Sequence, residues 1–280
     1  MPQWQGGNRP DYYFGSKLLA WLTPPATGPV ETVPVPEPRP GETLRVENGL
    51  VARAALLEQT RAARRAINRH NPERVVTLGG DCLTDLAPTA YLNARYGGRL
   101  GVLWVDAHPD ILTPEGSAHG HTHVLAALLG RGDAELVGEI DRPVRPARVM
   151  VAGLDDWSAA EGRAVHELGL RRTGSRALAS SSAPVLEWIA GEAITHLAVH
   201  FDLDVLDPRA FGPVIFNDPG APADALAGVP RGRMTPEQVV WLSHDVAAAC
   251  DVVGLAITGY LPWEAVATRD LLRQLPLLAG

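Results

Sequence analysis

In "WVDAHPD" (104–110), Asp106, His108 and Asp110 recur at every second position, and in "HFDLDVLDP" (200–208) Asp202 and Asp204 do the same. Each group closes an apolar run. A third run ends in "LGGDC" (78–82), which carries Asp81 and Cys82. Alternation along an extended chain turns 106, 108 and 110 to one side, and 202 and 204 likewise. Several carboxylates on one small patch repel one another unless a cation compensates them. A pair of divalent ions does so, with bridging carboxylates and one or two imidazoles, and such a pair activates water. Aspartates at strand ends also cap helices and make turns. Asp207, followed by Pro208, and Asp81 read better in that structural role. Asp106, His108, Asp110, Asp202 and Asp204 taken together do not.

These groups need a scaffold that brings strand ends together. Strand-like runs occur at 74–78, 100–106, 148–154, 196–204 and 251–258, with helical stretches around 84–96, 122–131, 159–169, 183–191 and 235–250. An amphipathic helix at 50–70 precedes them, with arginines opposite its apolar residues. Nearly continuous apolar strands separated by helices predict an α/β fold, a parallel sheet covered on both faces. In open sheets of this kind, ligands sit at the carboxyl edge. Residues 23–42 are proline-rich and predict an extended surface segment, and the Gly/Pro-rich stretch 209–234 predicts a pocket-shaping loop. With no internal repeat and no second composition regime, the 280 residues predict a single domain, 1–280.

The formal charge of -7, with no basic stripe, argues against nucleic acid as a partner. Two cysteines are too few for a disulfide framework. Neither a secretory signal nor an apolar run of membrane-spanning length is found, so a cytoplasmic protein without membrane contact is expected. Cys250 reads as core filler. Cys82 has three readings: a small buried apolar group, a thiol nucleophile, or a ligand.

Gly79-Gly80-Asp81-Cys82, Asp106-Ala107-His108-Pro109-Asp110 and Asp202-Leu203-Asp204-Val205-Leu206-Asp207-Pro208 resemble, in order and separation, the motifs of the arginase (ureohydrolase) family over roughly residues 70–265. The resemblance implies a three-layer α/β/α fold with a mostly parallel central sheet. It also implies two Mn2+ ions per chain and hydrolysis of a small guanidine by water activated between the metals. Asp106 and Asp202 would bridge the ions, Asp110 and Cys82 would complete one sphere, and His108 and Asp204 the other. Asp110 would also align the attacking water. Cys82 stands where the family has a metal-binding His, which makes it a ligand in this reading. A thiolate suits softer ions than Mn2+, so one manganese should be held loosely, or the metal preference should shift in part. In "EGSAHGHTHVLAALLG" (115–130), His121 would be the proton shuttle to the leaving amine, and His119 would lie on the substrate, with His119 as the alternative shuttle. Relatives commonly form homo-oligomers.

Departures from the family bear on substrate. Leu112 replaces an Asn, Ser158 an Asp that holds the α-amino group, and Gly259 a Glu that pairs with the guanidinium, while Glu161 is retained. Loss of that carboxylate weakens binding of a charged guanidinium. It favours the less basic N-hydroxyguanidine, as in the branch of the family that releases hydroxyurea from Nω-hydroxy-L-arginine during D-cycloserine biosynthesis. Ordinary arginase or agmatinase activity, and a guanidine-binding relative without catalysis, remain as alternatives.

Overall fold

A computed structural model describes residues 1–278 apart from 223 and 225. Residues 223 and 225 belong to the predicted pocket-shaping loop, which in that part lies outside the described residues. A short hairpin pairs β1 (Val46–Glu47) with β2 (Leu50–Val51). The central sheet contains β3 (Val75–Leu78), β4 (Gly101–Val105), β5 (Val149–Ala152), β6 (Arg171–Thr173), β7 (His196–Asp202) and β8 (Asp251–Thr258). Its order is β3-β8-β7-β4-β5-β6, and every pairing in it is parallel. Successive strands run outward from β4 to β6, and the chain then returns to place β7 on the other side of β4. The reversal opens a crevice at the carboxyl ends of β4 and β7.

Alternation along each strand divides the core into two. Leu103 and Val105 of β4 join Leu197, Val199 and Phe201 of β7 beneath the helices Ala183–Gly191 and Pro236–Ala249. Val102 and Trp104 face the opposite way, beneath the helices Arg53–His70, Leu86–Arg95 and Val124–Leu128. The result is the expected three-layer α/β/α arrangement, here around a parallel sheet. Helix starts follow local chemistry. Thr235 caps Pro236–Ala249, its side chain accepting from Gln238 N while the Gln238 side chain accepts from Thr235 N.

Two elements carry little sequence signal. Strand β6 is three residues long, and Arg171 and Arg172 are exposed. Helix Asp11–Leu22 contains Gly15, a poor helix former. There a Cβ would lie 2.1 Å from the Tyr260 carbonyl oxygen, so close packing on the end of the β8 segment explains the glycine. Residues 23–42 contain neither helix nor strand. They are held by Val33 packed on Ala63 and Ala87, and by the Trp4 indole donating to the Pro36 carbonyl. Among the described residues no helix is long and apolar enough to cross a membrane.

Candidate metal centre

The parallel register sets Trp104 beside His200 and Val105 beside Phe201, so Asp106 and Asp202 emerge side by side one step further on. All four of the alternate positions 104, 106, 200 and 202 are buried. The strand pleat carries no further than this, which corrects the expectation that alternation alone groups 106 with 110 and 202 with 204. Beyond the strands, turns do the work. The Asp106 carboxylate accepts from His108 N at 2.8 Å and the Asp202 carboxylate from Asp204 N at 2.8 Å, curling each loop over its own aspartate. Asp110 has φ +45°, and its carbonyl accepts from Leu125 N and Ala126 N at the start of the helix Val124–Leu128.

The ligand atoms fall into two sets, each lying within 4.8 Å of one another. One contains Cys82, Asp106, His200 and Asp202, and the other Asp106, His108 and Asp204. Asp106 belongs to both. Asp202 lies only in the first, where it accepts from the Cys82 thiol and from Thr258 Oγ1, both at 3.0 Å. Asp110 is in neither set, although it is buried and one of its carboxylate oxygens has no partner. His200 was not anticipated. Its signal is the parity that joins 200 to 202 on one strand face.

Such a centre is costly without cations. Burial, then the neighbouring Asp204 and Asp106, pushes the Asp202 carboxyl up to about 7. Burial and the adjacent carboxylates also raise Asp110 and the Cys82 thiol well above their ordinary values. Unpartnered buried atoms remain at His200 Nε2, Asp110 Oδ2 and Asp204 Oδ1. Carboxylates, imidazoles and a thiol with unspent lone pairs form a donor set that fits divalent ions.

The histidines are oriented by backbone carbonyls. His108 Nε2 lies 3.0 Å from the Pro230 carbonyl, which only accepts, so that nitrogen carries the proton. Nδ1 faces Asp204 at 3.3 Å and Asp106 at 3.5 Å. Against burial, which lowers the His108 pKa, these carboxylates raise it well above its ordinary value, so without a cation this nitrogen is protonated too. His121 Nδ1 is fixed in the same way on the Gly6 carbonyl at 3.0 Å. Enclosure of its ring pushes its pKa down to about 4, so it is uncharged at neutral pH with Nε2 free to accept. Asp81 anchors the same N-terminal segment, accepting from Gly7 N and from Leu83 N. His119 lies with its ring centroid 6.0 Å from that of His121, and its Nδ1 is unpartnered.

Two residues expected on substrate have other work. Ser158 and Glu161 form a reciprocal cap on the helix Ala159–Leu168, each side chain accepting from the other's backbone N–H. Ser158→Ala is therefore expected to lower unfolding stability by about 1 kcal/mol with KM unchanged. Thermal denaturation and steady-state kinetics check this, and a large KM rise at constant stability would return Ser158 to the substrate. Ser158 also borders a cavity of about 750 Å3 whose walls include Trp157, Asp207, Arg209, Pro230 and Arg233. Through Pro230 that cavity shares a wall with His108.

Gly259 is constrained by the centre itself. Its φ is +78°, and a Cβ there would lie 2.3 Å from Asp202 Oδ1. Its N–H donates to the Gly80 carbonyl at 2.9 Å. No side chain fits without moving a carboxylate of the first ligand set.

The Arginase family model matches residues 32–215, well over half of the chain. The arginase of Bacillus caldovelox is 33% identical over 146 residues, covering 48% of this chain and 47% of that protein. The arginase of Coccidioides posadasii is 30% identical over 151 residues, covering 48% and 46%. The chain thus spans about half the length of the curated relatives it matches. The solved structure of the Bacillus caldovelox arginase superposes with a TM-score of 0.77 at 20% identity, covering 100% of this chain and 96% of that one. At that identity the likeness concerns the fold.

Proposed function

The chain belongs to the arginase family, and from that premise we propose that it is a metal-dependent hydrolase cleaving the C–N bond of Nω-hydroxy-L-arginine to give hydroxyurea and L-ornithine. The observation that carries the substrate choice is Gly259. With its left-handed backbone and the Asp202 carboxylate against it, this position offers no acidic partner to a guanidinium. An N-hydroxyguanidine is far less basic than a guanidine and can be bound in its neutral form, which avoids the penalty for an unpaired buried charge.

In this reading Cys82, Asp106, His108, Asp110, Asp202 and Asp204 hold two divalent ions, with Mn2+ expected in at least one site. The ions would supply Lewis acidity, lowering the pKa of water enough for attack on the guanidine carbon at neutral pH. Asp110 accepts a hydrogen bond from the attacking water and orients it. His121, tautomer-fixed by Gly6, takes up the released proton at Nε2 and delivers it to the departing ornithine nitrogen. His121→Ala should then lower kcat by about 10²- to 10⁴-fold while metal content, measured by elemental analysis, stays constant. If His119→Ala has this effect instead, the shuttle is His119.

The test of function is a paired assay with added Mn2+, following hydroxyurea, urea and ornithine. Expected is a kcat/KM for Nω-hydroxy-L-arginine exceeding that for L-arginine by about 10²-fold or more. Preference for arginine would establish the second reading, a urea-releasing arginase, which is the activity in the names of the curated relatives. Metal-loaded protein that hydrolyses neither would be a guanidine binder.

A further inference from the structure

Resting on the metal-dependent reading above, we propose that His200 is a ligand of the ion held by Cys82. The four donors Cys82, Asp106, His200 and Asp202 then form a site for a borderline divalent ion, Zn2+ in preference to Mn2+. His200 takes the coordination place assigned to Asp110 in the proposed function, leaving Asp110 to orient the water.

The ring of His200 is fully buried and fixed on two sides. It stacks on Trp104 with centroids 3.6 Å apart and planes 7° from parallel. Its Nδ1 lies 3.2 Å from Asp85 Oδ2, and the other oxygen of Asp85 accepts from Thr89 Oγ1 at 3.0 Å. A carboxylate on one imidazole nitrogen, itself held by a hydroxyl, is the support that orients metal-bound histidines through the opposite nitrogen. That opposite nitrogen, Nε2, is buried and has no hydrogen-bond partner among the protein groups, a state that calls for explanation.

Its neighbours supply the explanation. Nε2 lies 3.8 Å from Asp106 Oδ2, too far for a hydrogen bond, and Cys82 Sγ lies 3.0 Å from Asp202 Oδ2. The donor atoms of Cys82, Asp106, His200 and Asp202 all lie within 4.8 Å of one another. One ion with bonds of about 2.0–2.3 Å would reach all four after small shifts, its charge replacing the proton that Cys82 donates to Asp202. Thiolate and imidazole favour zinc-like ions, whereas the second set, two carboxylates and one imidazole, suits a harder ion such as Mn2+. The centre therefore distinguishes its two positions by donor chemistry.

The test uses full-length, metal-stripped chain carrying His108→Ala, which removes the imidazole of the second set, loaded with one equivalent of Zn2+. X-ray absorption is expected to show sulfur and imidazole in the same zinc shell, with excess Mn2+ failing to displace the ion. His200→Asn should abolish the imidazole signal and weaken Zn2+ binding by about 100-fold, and Asp85→Asn should retain both signals while weakening it by about 10- to 100-fold. Sulfur without imidazole, or undiminished affinity in folded His200→Asn, overturns the assignment. If His200→Asn does not fold, the zinc shell of the His108→Ala protein decides alone. Failure of the folded wild-type chain to bind any divalent ion would sink the hydrolase reading as well. Two ions bound without imidazole beside sulfur would sink this inference only.

Discussion

Asp106→Asn is expected to remove metal from both ligand sets at once and to lower kcat/KM by roughly 10³-fold or more, at least about 4 kcal/mol of lost transition-state stabilisation. The expectation follows from position. Asp106 is the residue shared by the two sets, so its charge attracts both ions. Asparagine matches its volume and still accepts from His108 N, which leaves the turn after β4 intact. What it lacks is the negative charge and the second oxygen donor, which in the native chain also accepts from the Trp104 indole at 3.2 Å. The variant should fold and bind metal poorly. Elemental analysis after dialysis, read beside kinetics on Nω-hydroxy-L-arginine, separates the two effects. A variant that keeps two ions per chain and normal turnover would show that Asp106 does not join the sites.

The second large effect is expected at Gly259. Restoring an acidic side chain by Gly259→Glu should not create an efficient arginine hydrolase, and should destabilise the chain by about 4 kcal/mol or more. Two costs add. A left-handed φ of +78° strains any residue with a Cβ by about 1–3 kcal/mol. That Cβ would also collide with Asp202 Oδ1, and a further carboxylate would enter a patch where Asp202 is already pushed up to about 7. Denaturant unfolding gives the stability change, and metal titration should show weakened binding through Asp202. If Gly259→Glu kept wild-type stability and gained arginine turnover, the backbone at 258–260 would have relaxed, and the argument for an uncharged substrate would fall with it.

Much of this was legible before folding. Apolar runs of five to nine residues separated by helical periodicity located five of the six central strands. Strands β4, β5, β7 and β8 are buried nearly throughout and so have to be apolar, and β3 keeps an apolar run although it is only partly buried. Strand β6 escaped because it is three residues long and its exposed Arg171 and Arg172 leave no apolar run, whereas β3 at the opposite edge keeps one. The aspartates of "WVDAHPD" and "HFDLDVLDP" pointed to a candidate cation site, because capping and turns alone do not account for so many carboxylates at two strand ends. Ser158 and Glu161 show the opposite case. Their alignment suggested substrate, while their spacing of three also matched a helix cap, and the cap is the contact the structure contains.

The sequence by itself determined a parallel α/β sheet, carboxylates at the ends of two of its strands, and a thiol among them, since composition and alternation are local properties. Only the tertiary structure decided which of these groups meet. Residues 82, 106, 200 and 202 converge because the order β3-β8-β7-β4 lays distant segments side by side, and strand order is a result of global packing. The same packing aligned Trp104 with His200 and carried Gly259 against Asp202. A buried imidazole with one free nitrogen is not visible in a string of letters, because its meaning lies in what surrounds it.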